Sequence, residues 1–506
     1  MTKRQKILTV LLLGLALVVI PLSSVCAQPQ SGGTLKMLAS RATKALGAPW
    51  NGDTWYGMYG LPAMDTLVRQ DTKGNYVPHL ATSWDTAKDG SSITFHLRKG
   101  VKFHDGTDFN AAAVKLSLDS AKTGTLPLRR KSVDVIDDYT VRLNLKQYDI
   151  EIFYDLTRRN GMIASPTAVA KKTTPENRAK DHMIGTGPFR FVNWERDNYI
   201  KYKKFDGYWM KDKPYLDALE FVFIKDPVTS LLAFKSGAAQ LTMRIAPKDA
   251  KDLKAKGYEI LTTPYGMKTL TPDGANANSP FSNQKVREAI WYAIDRQAIA
   301  EGIGLGYWQA VSQVGVPGSD AYLRDVEGRK YDPARAKKLL AEAGYPNGFK
   351  TTLYSKAEES RDALVAIQTY LADIGIQAKV EPVDRGRYVK LHKEGWLNGI
   401  MFGTVSPFVN NAALNVAILT NSRPYNKPMY RAPGFQESYD KAVQTPDPKE
   451  LLNITQRMYR LIYDTCMVSP LWIETQVAAQ TKKVHDTGWC AIRYNTFTPE
   501  TGWLSK

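Results

Sequence analysis

The chain has 506 residues, more than one hydrophobic core usually serves, so two or three domains are expected. Its formal charge is +18, and a basic balance of that size raises the question of nucleic acid. The cations are scattered among acids, with Arg129-Arg130-Lys131 the sharpest cluster, which argues against a nucleic-acid partner and for a solvated basic surface with a mild bias towards anionic ligands or membranes.

In chain order, Lys3, Arg4 and Lys6 precede an apolar run from Ile7 to Ile20, which Pro21 breaks before the small residues around Ala27. This reads as a secretory signal peptide over residues 1–27, because the run is too short for a spanning helix of about 20 residues. Cleavage after Ala27 is preferred to lipid anchoring at Cys26, since Val25 stands where lipoprotein processing wants Gly, Ala or Ser. The mature chain, with its charge reduced from +18 to +15 by loss of those three cations, is then expected to be exported and periplasmic. Of three cysteines, Cys466 and Cys490 remain, either as a disulfide or as two buried free thiols.

Gly33 to Leu38 reads as a first strand, and Trp50, Trp55, Tyr56 and Tyr59 crowd a Gly-rich loop. Ile93, Phe95 and Leu97 alternate as in a half-buried strand, Asp105-Gly106 is turn chemistry, and Ala111 to Leu118 favours helix. Val133-Val135 and Val141-Leu143-Leu145 flank Asp137-Asp138 as a hairpin. Strands follow in Ile184–Trp194 and Phe221–Phe223, and a short helix at Leu231–Ala238. From Gln284 the texture turns helical: Val286, Ala289, Ile290, Ala293 and Ile294 recur at helical spacing, and Asp332-Pro333 is an N-cap followed by Pro at the first helical position. Thr351–Val383 reads as strand, helix and strand with parallel pairing, the helix striped by Leu364, Ile367, Leu371 and Ile374 and ended by Gly375. A helix over Lys449–Tyr463 and a strand over Val468–Ile473 complete the pattern.

The ordered string YVPHLATSWDTAKDGSSITFHLRKGVKFHDGTDFNAAAVKLSLD, Tyr76 to Asp119, resembles the signature region of the family 5 extracellular solute-binding proteins, the peptide- and nickel-binding subunits of bacterial ABC importers. The blocks Ile184–Trp209, Asn283–Trp308 and Leu364–Lys390 resemble successive family blocks in the right order. The resemblance implies an α/β, two-lobed periplasmic-binding-protein type II fold with an extra domain inserted in one lobe. It places lobe one in residues 28–75, 187–275 and 471–506, the inserted domain in 76–186 and lobe two in 276–470. It implies a substrate-binding protein that captures a small organic solute by lobe closure and docks on the membrane permease subunits, as a monomer without cofactor. Ordinary di- or oligopeptide binding, an exported hydrolase and a receptor-partner sensor are the alternatives.

Enzyme signatures are decoys. Ser282-x-x-Lys285 and Lys122-Thr123-Gly124 match motifs of penicillin-interacting enzymes, but in reversed order and with no S-D-N between them. The six histidines lack metal-ligand spacing, and His79 and His104 sit in blocks that serve the fold, so neither catalysis nor a metal is expected. A binding cleft needs apolar walls and a few aimed polar groups. The aromatic candidates are Trp50, Trp55, Tyr56, Tyr307, Trp308, Phe402 and Phe408, and the resemblance implies that the segments around Trp50–Tyr56 and Met401–Asn411 face the cleft. Thr404, Ser406, Asn410 and Asn411 suit hydroxyls or amides, and Arg385, like Arg129, Arg130 or Arg387, suits a carboxylate. Where peptide-binding members carry an Asp for the peptide's amino terminus, Gly399–Val416 has no acidic residue, which argues against free-amine peptides unless another acid such as Asp384 serves. Replacing Phe402 by Ala is therefore expected to weaken binding with little effect on melting.

Overall fold

Two long strands, Glu259–Pro272 and Ser469–Gln480, lie side by side and antiparallel at the centre of the largest sheet. The computed structural model describes residues 28–51, 56–71, 74–122, 125–405, 426–489 and 497–506. Beside the far end of Ser469–Gln480 come Leu241–Thr242, Thr34–Ala39, Ala218–Phe223, Tyr199–Lys204 and Phe189–Glu195. Beside the far end of Glu259–Pro272 come Gly399–Val405, Phe349–Lys356 and Ile376–Val383.

The register shows how the long pair serves both groups. Leu241–Thr242 bonds to Gln480 and Ala479, whereas Gly399–Val405 bonds along Met267–Pro272. Between these stretches the pairing slips at Pro264/Gly266 and again at Lys268/Thr269. A 14-residue strand spans about 46 Å, enough to run from one core into another. One core gathers Met37, Tyr59, Phe189, Tyr202 and Phe221, and the other Ile290, Leu353, Ile367, Phe402 and Trp472. Sheet order thus yields two halves joined by a two-stranded ribbon.

A separate four-stranded sheet runs Ala81–Thr86, Ser92–Leu97, Thr140–Leu145 and Arg130–Asp137 in space. Ile93, Phe95, Val133, Val141 and Leu143 point into its own core, closed by the helix Ala111–Asp119 through Val114 and Leu118. Asn110 caps that helix by accepting from the Ala113 amide at 3.0 Å.

Most expected elements appear, with differences at their ends. The helix read at Leu231–Ala238 spans Pro227–Lys235, because Asp226 caps it and Pro227 takes the first helical position. The strand read at Val468–Ile473 continues to Gln480 along its long partner. Asp332 caps Pro333–Glu342 as expected, and Phe349–Lys356 pairs in parallel with Ile376–Val383. Gly375 ends the intervening helix at φ +91°, a conformation that favours glycine.

Of the two cysteines, Cys466 is a buried free thiol, and Cys490 lies outside the described residues. Cys466 sits at the C-terminal cap of the helix Pro448–Thr465 with its Sγ 3.8 Å from the Tyr463 carbonyl. Burial there pushes the thiol up to about 12, so it is neutral and unreactive. Among the described residues no helix is long and apolar enough to cross a membrane, and no cluster of metal-ligating side chains occurs.

Candidate functional site

A cavity of about 390 Å³ opens where the two halves meet the ribbon. The chain delivers charge to it from strand ends. Arg41 follows the strand Thr34–Ala39, Arg244 follows Leu241–Thr242, and Lys356, Glu358 and Glu359 close Phe349–Lys356. Ser360 lines it too and caps the helix Arg361–Asp373, accepting from Ala363 N. The ribbon supplies Lys268 from one strand and Glu474 to Val477 from the other.

Lys268 sits at a register slip and is almost fully buried. Its ammonium donates to Glu359 Oε2, to Glu474 Oε2 at 3.1 Å and to Thr404 Oγ1 at 3.1 Å. Burial alone would lower its pKa, but the Glu359 and Glu474 carboxylates outweigh that and hold the lysine above its ordinary value. Gly266 makes room for this arrangement, since a Cβ there would stand 2.2 Å from Thr404 Cγ2. Across the cavity Arg41 Nη2 meets Glu358 Oε1 at 2.8 Å, joining the two halves directly. Burial would raise Glu358, but the Arg41 hydrogen bond outweighs it and keeps the carboxyl below its usual range. Trp308 forms an apolar wall, stacked on Trp472 with ring centres 5.2 Å apart.

Residues 75–426 match the family described as bacterial extracellular solute-binding proteins, family 5. The chain belongs to that family. The glutathione-binding protein GsiB of Salmonella choleraesuis is 33% identical over 427 residues, covering 80% of this chain and 82% of that protein. The solved structure of DppA, an ABC transporter-associated periplasmic binding protein from Helicobacter pylori in complex with the peptide STSA, is 26% identical at a TM-score of 0.76 and covers 94% of this chain and 99% of its own. AgaA from A. tumefaciens R10, in complex with agropinic acid, is 27% identical at a TM-score of 0.76, with the same coverages. The two-lobed α/β fold is that of the type II periplasmic binding proteins, and this family member is a solute-binding protein of an ABC importer. The family and these relatives bind rather than transform.

Of the binding residues read from the sequence, Thr404 and Trp308 line the cavity of this family 5 protein. Phe402 is corrected to a core residue: it is 1% exposed, packs 6.0 Å from Trp472, and meets the site only beneath the Lys268 ammonium, 5.4 Å from its ring centre. Its strand is central and covered on both faces, so alternation buries both sets of side chains. Trp50 packs half-buried against the first core, away from the cavity lining. Tyr56 opens the helix Tyr56–Tyr59, while Trp55, Ser406, Phe408, Asn410 and Asn411 lie outside the described residues.

Arg385 is exposed at the start of the helix Arg385–Glu394 and does not line the cavity. Asp384 caps that helix by accepting from Gly386 N and Arg387 N, so it is not the substitute acid. Arg387 pairs with Glu381. Arg129 and Arg130 pair with Asp149 and Asp119 at the four-stranded sheet and are structural. His79 and His104 are buried in the fold, bonded to Asp65 and to the Gly187 carbonyl at 2.8 Å each.

The residues missed are Arg41, Arg244, Lys268, Lys356, Glu358, Glu359 and Glu474. One signal was available for most of them. In open α/β sheets ligands lie beyond the carboxyl ends of parallel strands, and Arg41 and Lys356 to Glu359 stand at such ends.

Proposed function

We propose that this protein captures a small, acidic, peptide-like solute in the cavity between its halves and presents it to the membrane permease subunits of an ABC importer. The observation that carries the reading is the charge lining: Arg41, Arg244, Lys268 and Lys356 stand against Glu358, Glu359 and Glu474, beside a Trp308 wall. A cavity of about 390 Å³ sits near the lower end of the usual range for small-molecule sites, about 300–1,000 Å³, which favours a short solute over a long peptide. The relatives named for glutathione and seen with agropinic acid support the same chemistry.

The reading extends to processing and organisation. Residues 1–27 act as a signal peptide cleaved after Ala27, and the mature chain works as a periplasmic monomer that returns its ligand unchanged. Residues 28–75, 187–275 and 471–506 form one lobe, 276–470 the other, and 76–186 the extra domain; the separate core of the four-stranded sheet supports the last of these. Ligand drives closure only if it binds the closed form better than the open one.

The test is titration calorimetry and thermal shift on the chain from Gln28, using glutathione, a tetrapeptide, agropinic acid and a neutral sugar. Ligand at 100 times its dissociation constant should stabilise by about 2.7 kcal/mol, which raises the melting temperature measurably. Binding of the acidic compounds with no response to the sugar is expected. A response to the sugar alone would overturn the reading. Mass spectrometry of the recovered ligand checks for turnover.

A further inference from the structure

Two helices in the half that holds Thr34–Ala39 turn unusual faces to solvent. Pro227–Lys235 and Pro247–Ala255 both rest on one small core, Leu38, Phe234, Leu253 and Ala479, and so cover the same side of the sheet. On the first helix Ser230 and Phe234 face inward, while Val228 and Leu232 stand one turn apart on the outer face at 64% and 61% exposure. On the second, Ala250 and Leu253 face inward. At about 100° per residue, Lys248, Lys251 and Lys254 then follow one flank of that helix, and Asp249 and Asp252 the other.

The lysine row continues past the helix end. Lys256 is exposed in the turn, Gly257 there takes φ +85°, and a Cβ on it would stand 4.0 Å from the Lys482 ammonium. Lys248, Lys251, Lys254, Lys256 and Lys482 are all exposed, and among the described residues none pairs with an acid. Like charges held in a row repel one another, and an exposed apolar pair beside them gains nothing from water. An anionic sheet with an apolar interior answers both, because phosphates meet the lysines while Val228 and Leu232 sink to the acyl boundary. The acids of a protein partner are better met by arginine forks and aromatic anchors, yet neither helix carries an arginine or an exposed aromatic.

We propose that this face, Val228 and Leu232 together with the lysine row, is a docking surface for anionic phospholipid. Pro227 and Pro247, which open the two helices, also line the cavity, so a chain held by this face keeps the cavity rim near the bilayer in which the permease subunits lie. The inference does not depend on what the cavity holds. Each lysine contributes about fivefold to such binding, which stays reversible, so the protein searches for its transporter along a surface and still lets go.

The experiment is co-sedimentation of the mature chain with vesicles of phosphatidylcholine, alone or with about 30% phosphatidylglycerol. Wild type should partition at least tenfold more onto the anionic vesicles, and raising salt from about 0.05 M to about 0.5 M should release it. The double variant K251E/K254E should lose at least tenfold, and V228S/L232S about threefold. K251Q/K254Q, which is milder for the helix, should lose about fivefold and keeps the test sound if the charge reversal lowers the melting temperature. K350E/K379E makes the same change of charge on exposed lysines of the other half and should alter partitioning less than twofold. Equal losses in K251E/K254E and K350E/K379E would make total charge the cause and overturn the proposal, as would equal binding to the neutral vesicles. Wild type that ignores both vesicles but binds vesicles carrying the permease subunits would overturn the lipid partner in favour of a protein one.

Discussion

Among the described residues, two clusters clasp one buried cation between two carboxylates, and they differ in what surrounds the acids. In the first, Arg69 bonds Asp65 Oδ1 at 3.0 Å and Glu500 Oε1. Asp65 also accepts from His79 Nε2 at 2.8 Å, Trp209 Nε1 at 3.0 Å and Thr186 Oγ1 at 3.2 Å, and it is fully buried. Burial would raise Asp65, but His79 and Arg69 outweigh it and hold the carboxyl far below its usual value. In the second, Lys268 bonds Glu359 and Glu474 and all three line the cavity, whereas in the first Glu500 Oε2 is buried without a hydrogen-bond partner. The planar arginine fork ties chain segments that are distant in sequence, and the compact ammonium ties the ribbon to one half beside the cavity. Ion chemistry alone therefore does not mark a site; a neighbouring cavity that the ions line does.

The comparison breaks most readily at the closed cluster. R69M leaves Asp65 and Glu500 short of a partner, so a loss of about 3–5 kcal/mol in urea denaturation is expected. A loss below 1 kcal/mol would make the two clusters equivalent. F402A should cost a similar amount, about 3–5 kcal/mol, because the ring is core, and the same denaturation series reads it.

Acid should separate two classes of buried group. Burial pulls His104 and His392 down to about 4, so both are neutral when folded, whereas the unfolded value is 6.5. Between these values the unfolded chain binds more protons, so stability falls as pH drops from 6.5 to 4, by about 3 kcal/mol for each imidazole. His104 gives the reason: Nε2 donates to Gly187 O, and Nδ1 is buried with no acceptor for a second proton. Asp65 is depressed instead, so its contribution is present above 3.8 and is lost only below that. Denaturation at pH 7, 5 and 3 should show two successive losses, and a flat profile from 7 to 4 would contradict the histidine assignment. The smallest effect belongs to R41A: its bridge to Glu358 is largely solvated, so a cost of about 0–1 kcal/mol is expected, with any larger change in small-angle scattering pointing to opened halves.

Much of the fold was legible because local signals agreed with it. Asp332-Pro333 caps a helix, and Thr351–Val383 gives the parallel strand-helix-strand unit, each for reasons confined to a few residues. The strand Glu259–Pro272 was not legible. Pro264 and Gly266 interrupt it, and being buried on both faces beyond Gly266 it shows no alternation. The site was less legible still. Thr404 came from the family block and Trp308 from a search for aromatic walls, but Lys268, Glu359 and Glu474 are separated by up to 206 positions and no spacing shows that they meet. A search for apolar walls also passes over residues whose charge is hidden by pairing. Phe402 shows the opposite error, an aromatic in the right segment that the sheet turned inward.

The ribbon between the halves carries a mechanical consequence. Two hydrogen-bonded strands resist stretching and shear but yield to torsion, so the halves can turn about the ribbon more cheaply than they can slide. Its weak points are the two register slips, and Lys268 sits at one of them. Lys268 ties that slip to Glu359 in one half and to Glu474 on the ribbon's other strand. Charge pairing and backbone geometry thus meet at one residue of the ribbon.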